Sequence, residues 1–109
     1  MIKRLFLDAA FNQATKSDMN FNHGSVVVYR GKIVGRGHNT YINSNYKDSL
    51  HAEVSAINDA LRRIHPYKLK ECELIIIRIN KSGECLNSKP CCKCQAYINK
   101  YHIKRVFHS

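Results

Sequence analysis

His51 and Glu53 stand at the head of the run His51-Ala52-Glu53-Val54-Ser55-Ala56-Ile57, and roughly forty residues later comes Pro90-Cys91-Cys92-Lys93-Cys94. An imidazole and a carboxylate two apart put one nitrogen ligand and one proton carrier in the first turn of a helix. A Cys-x-x-Cys at a second helix start offers two thiolates to the same ion. Three protein ligands leave the fourth tetrahedral position of a zinc ion open, which is the arrangement of a catalytic site rather than a structural one. The acid outside that set, Glu53, is then free to carry protons to and from water at the metal.

Each half taken singly has a plainer reading. His51 and Glu53 also fit an ordinary exposed first turn, with Glu53 complementing the helix dipole. Cys91 and Cys94 also fit a dithiol redox pair, although that gives the His-Ala-Glu run no role. A Cys92/Cys94 ligand pair is the other possibility within the metal reading; the usual zinc spacing favours Cys91/Cys94 and turns Cys92 into the helix packing. Cys72 borders an apolar run and reads as core, and Cys85 as an adventitious thiol. His23, His65, His102 and His108 share no ligand spacing and read as surface or packing.

The elements that must position these groups follow from periodicity. Ile2, Leu5, Phe6 and Ala9 recur at helical spacing over residues 2 to about 16. Gly24–Tyr29 and Ile33–Gly37 are strands around a tight turn at Arg30-Gly31-Lys32. A polar loop from Asn39 to Ser49 follows, with Ser49 a candidate N-cap for a helix that carries its apolar residues to Ile64 and stops before Pro66. Glu73–Ile79 lacks polar alternation until Arg78, as a central strand covered on both faces does. Asn80 to Lys89 reads as a loop, Pro90 suits the first turn of a helix to about Tyr101, and Ile103–Phe107 is a last strand. This αββαβαβ order predicts a single α/β domain over residues 1–109, with a mixed sheet of about four strands and its last two strands parallel. Short strand-to-helix loops would bring both ligand sets to helix N-termini on one edge, where the dipole favours thiolates.

Composition narrows the class. With 44% hydrophobic and 24% charged residues the chain is globular rather than disordered. A net charge of +10 points to an anionic partner, nucleotide phosphate or nucleic-acid backbone, or else to solvated surface charge. Asp8 interrupts the leading apolar run, so no signal peptide or membrane span is expected. Five cysteines without a leader suit a reducing, cytoplasmic compartment in which they bind metal or do redox chemistry.

His51-Ala52-Glu53 followed by Pro90-Cys91-Cys92-Lys93-Cys94 resembles the signature of the zinc-dependent cytidine/deoxycytidylate deaminase superfamily. Ala56-Ile57 and the aliphatic Ile98 continue the likeness, which covers nearly the whole chain. The resemblance implies a cytidine deaminase-like fold and one Zn2+ per chain on His51, Cys91 and Cys94. It implies zinc-bound hydroxide attacking a base carbon, with Glu53 as proton shuttle. It makes the Ala52 backbone amide and Asn39, within Gly37-His38-Asn39, substrate-binding candidates. Deoxycytidylate members carry an asparagine where this chain has Ser55, and most members continue with a further helix and strand beyond the last one here. That is expected of either a minimal enzyme or one completed by a homo-oligomer or partner subunit.

The expected activity is hydrolytic deamination of the cytosine of a nucleoside or nucleotide. The alternative is a deaminase acting on single-stranded RNA or DNA, with Tyr41, Tyr46, Lys47, Tyr67, Lys68 and Lys70 flanking the pocket. A third reading is a catalytically silent zinc domain that binds nucleic acid or protein.

Overall fold

The computed structural model describes residues 3–17, 19, 21–41 and 49–109. Helix α1, Arg4–Thr15, buries Phe6, Ala10, Gln13 and Ala14 along one face. Strands β1, Asn22–Tyr29, and β2, Lys32–His38, form an antiparallel hairpin. Its two-residue turn has positive φ at both Arg30 (48°) and Gly31 (80°), the conformation whose twist matches the flanking strands. Two-residue strands β3, Thr40–Tyr41, and β4, Ser49–Leu50, pair with each other, so the predicted polar loop carries a small ladder at its base. Helix α2, Ala52–Ala60, is followed by a 3-10 helix, Pro66–Glu71, and by strand β5, Cys72–Ile79. Strand β6, Cys85–Leu86, helix α3, Cys92–Lys100, and strand β7, Arg105–His108, complete the order.

The main sheet has five strands, in the order β2-β1-β5-β6 with β7 also on β5. β1 pairs antiparallel with β5, and β7 pairs parallel with it from Glu73↔Arg105 to Ile76↔His108, as the later alternation predicts. Period-two alternation divides the core. Val26, Val28, Ile75, Ile77 and Ile79 face α1, whereas Val27, Leu74 and Ile76 face α2 and Ile98 of α3. Close backbone approach seats the helices. A Cβ on Gly24 would lie 2.0 Å from the Ala10 carbonyl of α1, and one on Gly37 would lie 2.4 Å from the Ala56 nitrogen of α2.

Four local expectations are corrected. His51, not Ser49, is the N-cap of α2, since Ser49 belongs to β4. α2 ends at Ala60 instead of reaching Ile64. Its last bonds tighten to three-residue spacing, Arg62 N–H to Asp59 (3.2 Å) and Arg63 N–H to Ala60 (2.9 Å), ahead of a proline that bars continuation. The expected loop before Pro90 contains β6. Pro90 itself stands outside α3, whose N-cap is Cys91.

Candidate active site

α2 and α3 begin beside each other, at the end of the sheet where β1 starts and β5 finishes. His51 and Cys91, both in extended conformation, cap the two helices, and Cys94 lies one turn into α3. The Tyr97 hydroxyl donates to Asn58 Oδ1 and holds α3 against α2. Behind them, Ser88 Oγ donates to the Ile76 carbonyl at 3.0 Å and accepts from the Ser109 N–H at 2.8 Å, which ties the approach to Cys91 onto the central strand.

His51 Nδ1 lies 3.1 Å from Cys94 Sγ and 3.6 Å from Cys91 Sγ, and the three ligand atoms all fall within 4.8 Å of one another. Metal–ligand lengths of about 2.3 Å for sulfur and about 2.0 Å for nitrogen put tetrahedral neighbours roughly 3.5–3.8 Å apart. The spacings therefore need adjustment by at most about 1 Å, and two thiols with one imidazole are a zinc donor set. His51, Cys91 and Cys94 are positioned to bind one metal ion.

Burial pushes the Cys94 thiol up from its ordinary value, and the neighbouring Glu53 carboxylate and Cys91 thiol push it the same way. Burial and the adjacent acid therefore act against the thiolate form that a helix N-terminus favours. A divalent cation among these groups inverts that balance. Cys92, expected in the helix packing, is solvent-exposed at the first position of α3, while Cys72 is core, its thiol raised by burial and by Glu71 to about 11. Cys85 is exposed.

A cavity of about 340 Å³ opens beside the cluster, and His51, Ala52, Glu53 and Cys91 are among the residues that line it. Glu53 is only 5% exposed, in the first turn of α2 where a negative charge complements the helix dipole. Asn39 lines the cavity but is largely engaged in bracing it. Its Oδ1 accepts from the His23 N–H at 2.8 Å, and its Nδ2 donates to the Phe21 carbonyl at 2.6 Å. One amide hydrogen and one lone pair remain in its inventory.

Sequence reasoning missed Met19, Phe21, His23, Ser88 and Lys89, all of which line the same cavity. His23 had a signal. Counting β1 from Asn22 puts residues 23, 25 and 27 on the α2 face, so His23 points to the site. Its imidazole is pushed below the ordinary value, chiefly by burial and also by Arg78, against the pull of Glu53.

Of the residues expected to flank the pocket, Tyr41 lines it, while Tyr46 and Lys47 lie outside the described residues. Tyr67, Lys68 and Lys70 do not flank it. They sit on the 3-10 helix at the far end of the sheet, where Tyr29 pairs with Cys72. Six residues of β1 separate that end from His23, about 20 Å at strand rise.

A three-layer α/β domain with this cluster and a buried carboxylate at paired helix N-termini defines a metal-site class, and comparison places the chain within it. Residues 2–109 match the cytidine and deoxycytidylate deaminase zinc-binding region, and the chain belongs to that zinc-binding deaminase family. It is similar to the tRNA-specific adenosine deaminase of Streptococcus pyogenes serotype M18, 30% identical over 105 residues, covering 94% of this chain and 59% of that one. The tRNA-specific adenosine deaminase of Aquifex aeolicus is 29% identical over 112 residues, covering all of this chain and 66% of that one. The chain thus spans about three-fifths of the length of these curated relatives. Guanine deaminase of Bacillus subtilis superposes with a TM-score of 0.72 at 26% identity, covering 100% of this chain and 64% of that one. Cytidine deaminase of Burkholderia pseudomallei superposes at 0.73 and 22% identity, covering 94% and 78%, and supports the fold. Among the described residues no helix is long and apolar enough to cross a membrane.

Proposed function

We propose that this chain hydrolyses the exocyclic amine of a nucleobase, with zinc held by His51, Cys91 and Cys94 and with Glu53 as the catalytic proton carrier. The observation that supports this is the convergence of the three-ligand cluster and the buried Glu53 carboxylate on one cavity. Zinc bound there supplies the Lewis acidity that makes water nucleophilic near neutral pH. Glu53 accepts the proton of the attacking water, passes it to the ring nitrogen beside the attacked carbon, and delivers a proton to the departing ammonia. The Ala52 backbone amide and the remaining capacity of the Asn39 side chain orient the base. The cavity walls limit bulk water around it.

The base is the finer question. The sequence reading favours cytosine in a nucleoside or nucleotide. The curated relatives are tRNA-specific adenosine deaminases by name, and they favour the adenine of a nucleic acid, the class already raised by the +10 charge. Metal-quantified protein offered cytidine, deoxycytidine, CMP, dCMP, adenosine, guanine and short single-stranded C- or A-containing oligonucleotides separates these by mass spectrometry of the amine-to-carbonyl exchange. Product from one free nucleoside or nucleotide supports the metabolite reading, and product only from oligonucleotides supports the polymer. Glu53→Ala should keep its zinc and lose turnover by about 10²–10⁴-fold. An active Glu53→Ala protein would remove this mechanism.

A further inference from the structure

We propose that Phe21 is a stacking platform for the base adjoining the target, so that the site takes a base within a single strand. The proposal deepens the deaminase reading and rests on it for the position of the target base. A cavity of about 340 Å³ is at the small end of ligand pockets and accommodates one nucleoside, so any neighbouring nucleotide lies at its mouth.

Phe21 lines this cavity and is 57% exposed; among the described residues it is the exposed large hydrophobic side chain that does so. An aromatic ring normally buries most of its surface, so such exposure beside a functional cavity suggests a task. The ring is also held in place. The Phe21 backbone carbonyl accepts from Asn39 Nδ2 at 2.6 Å, which anchors the main chain, and the Arg78 guanidinium lies over the ring with Cζ 4.4 Å from its centroid. Arg78 is fixed in turn, its N–H donating to Ser109 Oγ (3.1 Å) and Nη1 to the Asn87 carbonyl (3.4 Å). Among the described residues its buried Nε has no hydrogen-bond partner.

A ring backed by a cation and open toward a cavity suits the π-face of a nucleobase, which every base offers. Lys89, exposed on the same cavity's wall, supplies a positive charge for the adjoining phosphate.

The test is fluorescence anisotropy with zinc-loaded full chain in the Glu53→Ala background, which prevents turnover. The probes are fluorescein-labelled single-stranded RNAs whose central adenosine or cytidine is flanked by purines, and matched strands with abasic ribose at the flanks. Phe21→Ala should weaken binding of the purine-flanked strand by about 5- to 150-fold, the range for loss of one base–aromatic stack. It should leave the abasic strand's weaker affinity nearly unmoved, and Phe21→Trp should restore binding. Equal losses on both strands would mean that Phe21 only shapes the rim, and would overturn the proposal, as would no loss on either or no binding of any strand. The deaminase reading fails separately: wild-type protein that converts no base, while the purine-dependent difference persists, would refute that reading and retain the platform.

Discussion

α2 and α3 are both nine residues long, both start at a metal-ligand candidate without a side-chain cap, and both lie on the same face of the sheet. Their anchoring differs. α2 buries Ala52, Glu53, Ala56, Ile57 and Ala60 against strands that glycine lets it approach closely, whereas α3 buries only Cys94 and Ile98. Nine residues are too few for a stable helix in isolation, so each depends on what it packs against. For α2 that is the core. For α3 it is Ile98, the half-buried Tyr97 and Tyr101, the Tyr97–Asn58 bond and the candidate ligand cluster. The lesson is a division of labour, in which a permanently seated helix carries His51 and Glu53 and a lightly seated one brings the two thiols.

The largest break in this comparison should come from removing the metal. Because ligand binding and ordering are coupled, Cys91→Ala or strong chelation should abolish stoichiometric zinc and turnover together. Hydrogen exchange read by mass spectrometry should then show the amides of residues 92–100 losing protection while those of residues 52–60 keep most of theirs. Equal loss in both helices would show that the metal organises the whole face. Full zinc retention by Cys91→Ala would shift attention to Cys92.

The opposite manipulation attacks α2. Gly37→Ala places a Cβ 2.4 Å from the Ala56 nitrogen and 2.7 Å from the Ser55 side chain, where backbone cannot yield cheaply. Overpacking of this kind costs about 1–3 kcal/mol. The urea midpoint should fall accordingly, with zinc affinity falling as His51 is displaced from the cysteines. An unchanged midpoint would mean that α2 is seated by its alanine face without need of the close approach.

The same asymmetry decides how much was readable from the chain. His51, Cys91 and Cys94 were legible as a ligand set because metal ligation demands particular atoms at particular spacings, and short-range spacing survives in sequence. The β5–β7 parallel pair was legible because an intervening helix leaves little choice of direction. Phe21, His23 and Lys89 were not, since cavity lining depends on where a strand begins and on which face its pleat presents. Starting β1 at Gly24 instead of Asn22 hid His23. Tyr67 and Lys68 were misplaced for the converse reason, because nearness in sequence to α2's end says nothing about which end of the sheet receives them. Cys92 was misassigned because ligand spacing, which set it aside as a bystander, does not say which way the first residue of α3 faces, and it faces solvent.

The smallest expected effect sharpens the contrast at the other end of α2. Asp59 accepts from the Arg36 N–H of β2 at 2.9 Å and pairs with Arg63 at 2.8 Å, a tie from helix to sheet for which α3, with no acidic residue, has no counterpart. Burial pushes the Asp59 carboxyl up, but the bonds from Arg63 and from Arg36 outweigh it and hold the group below its ordinary value of 3.8. A carboxylate depressed in the folded state contributes its stability above the unfolded value and loses it as pH falls through the folded one. Asp59→Asn should therefore lower the urea midpoint at neutral pH by the equivalent of under about 1 kcal/mol, as befits a partly exposed pair. Below about pH 4, where the unfolded carboxyl protonates, the gap between variant and wild type should close progressively. A gap that stays constant down to acid pH would mean that the Arg36 bond acts through geometry alone and that the charge of Asp59 does not help fasten α2.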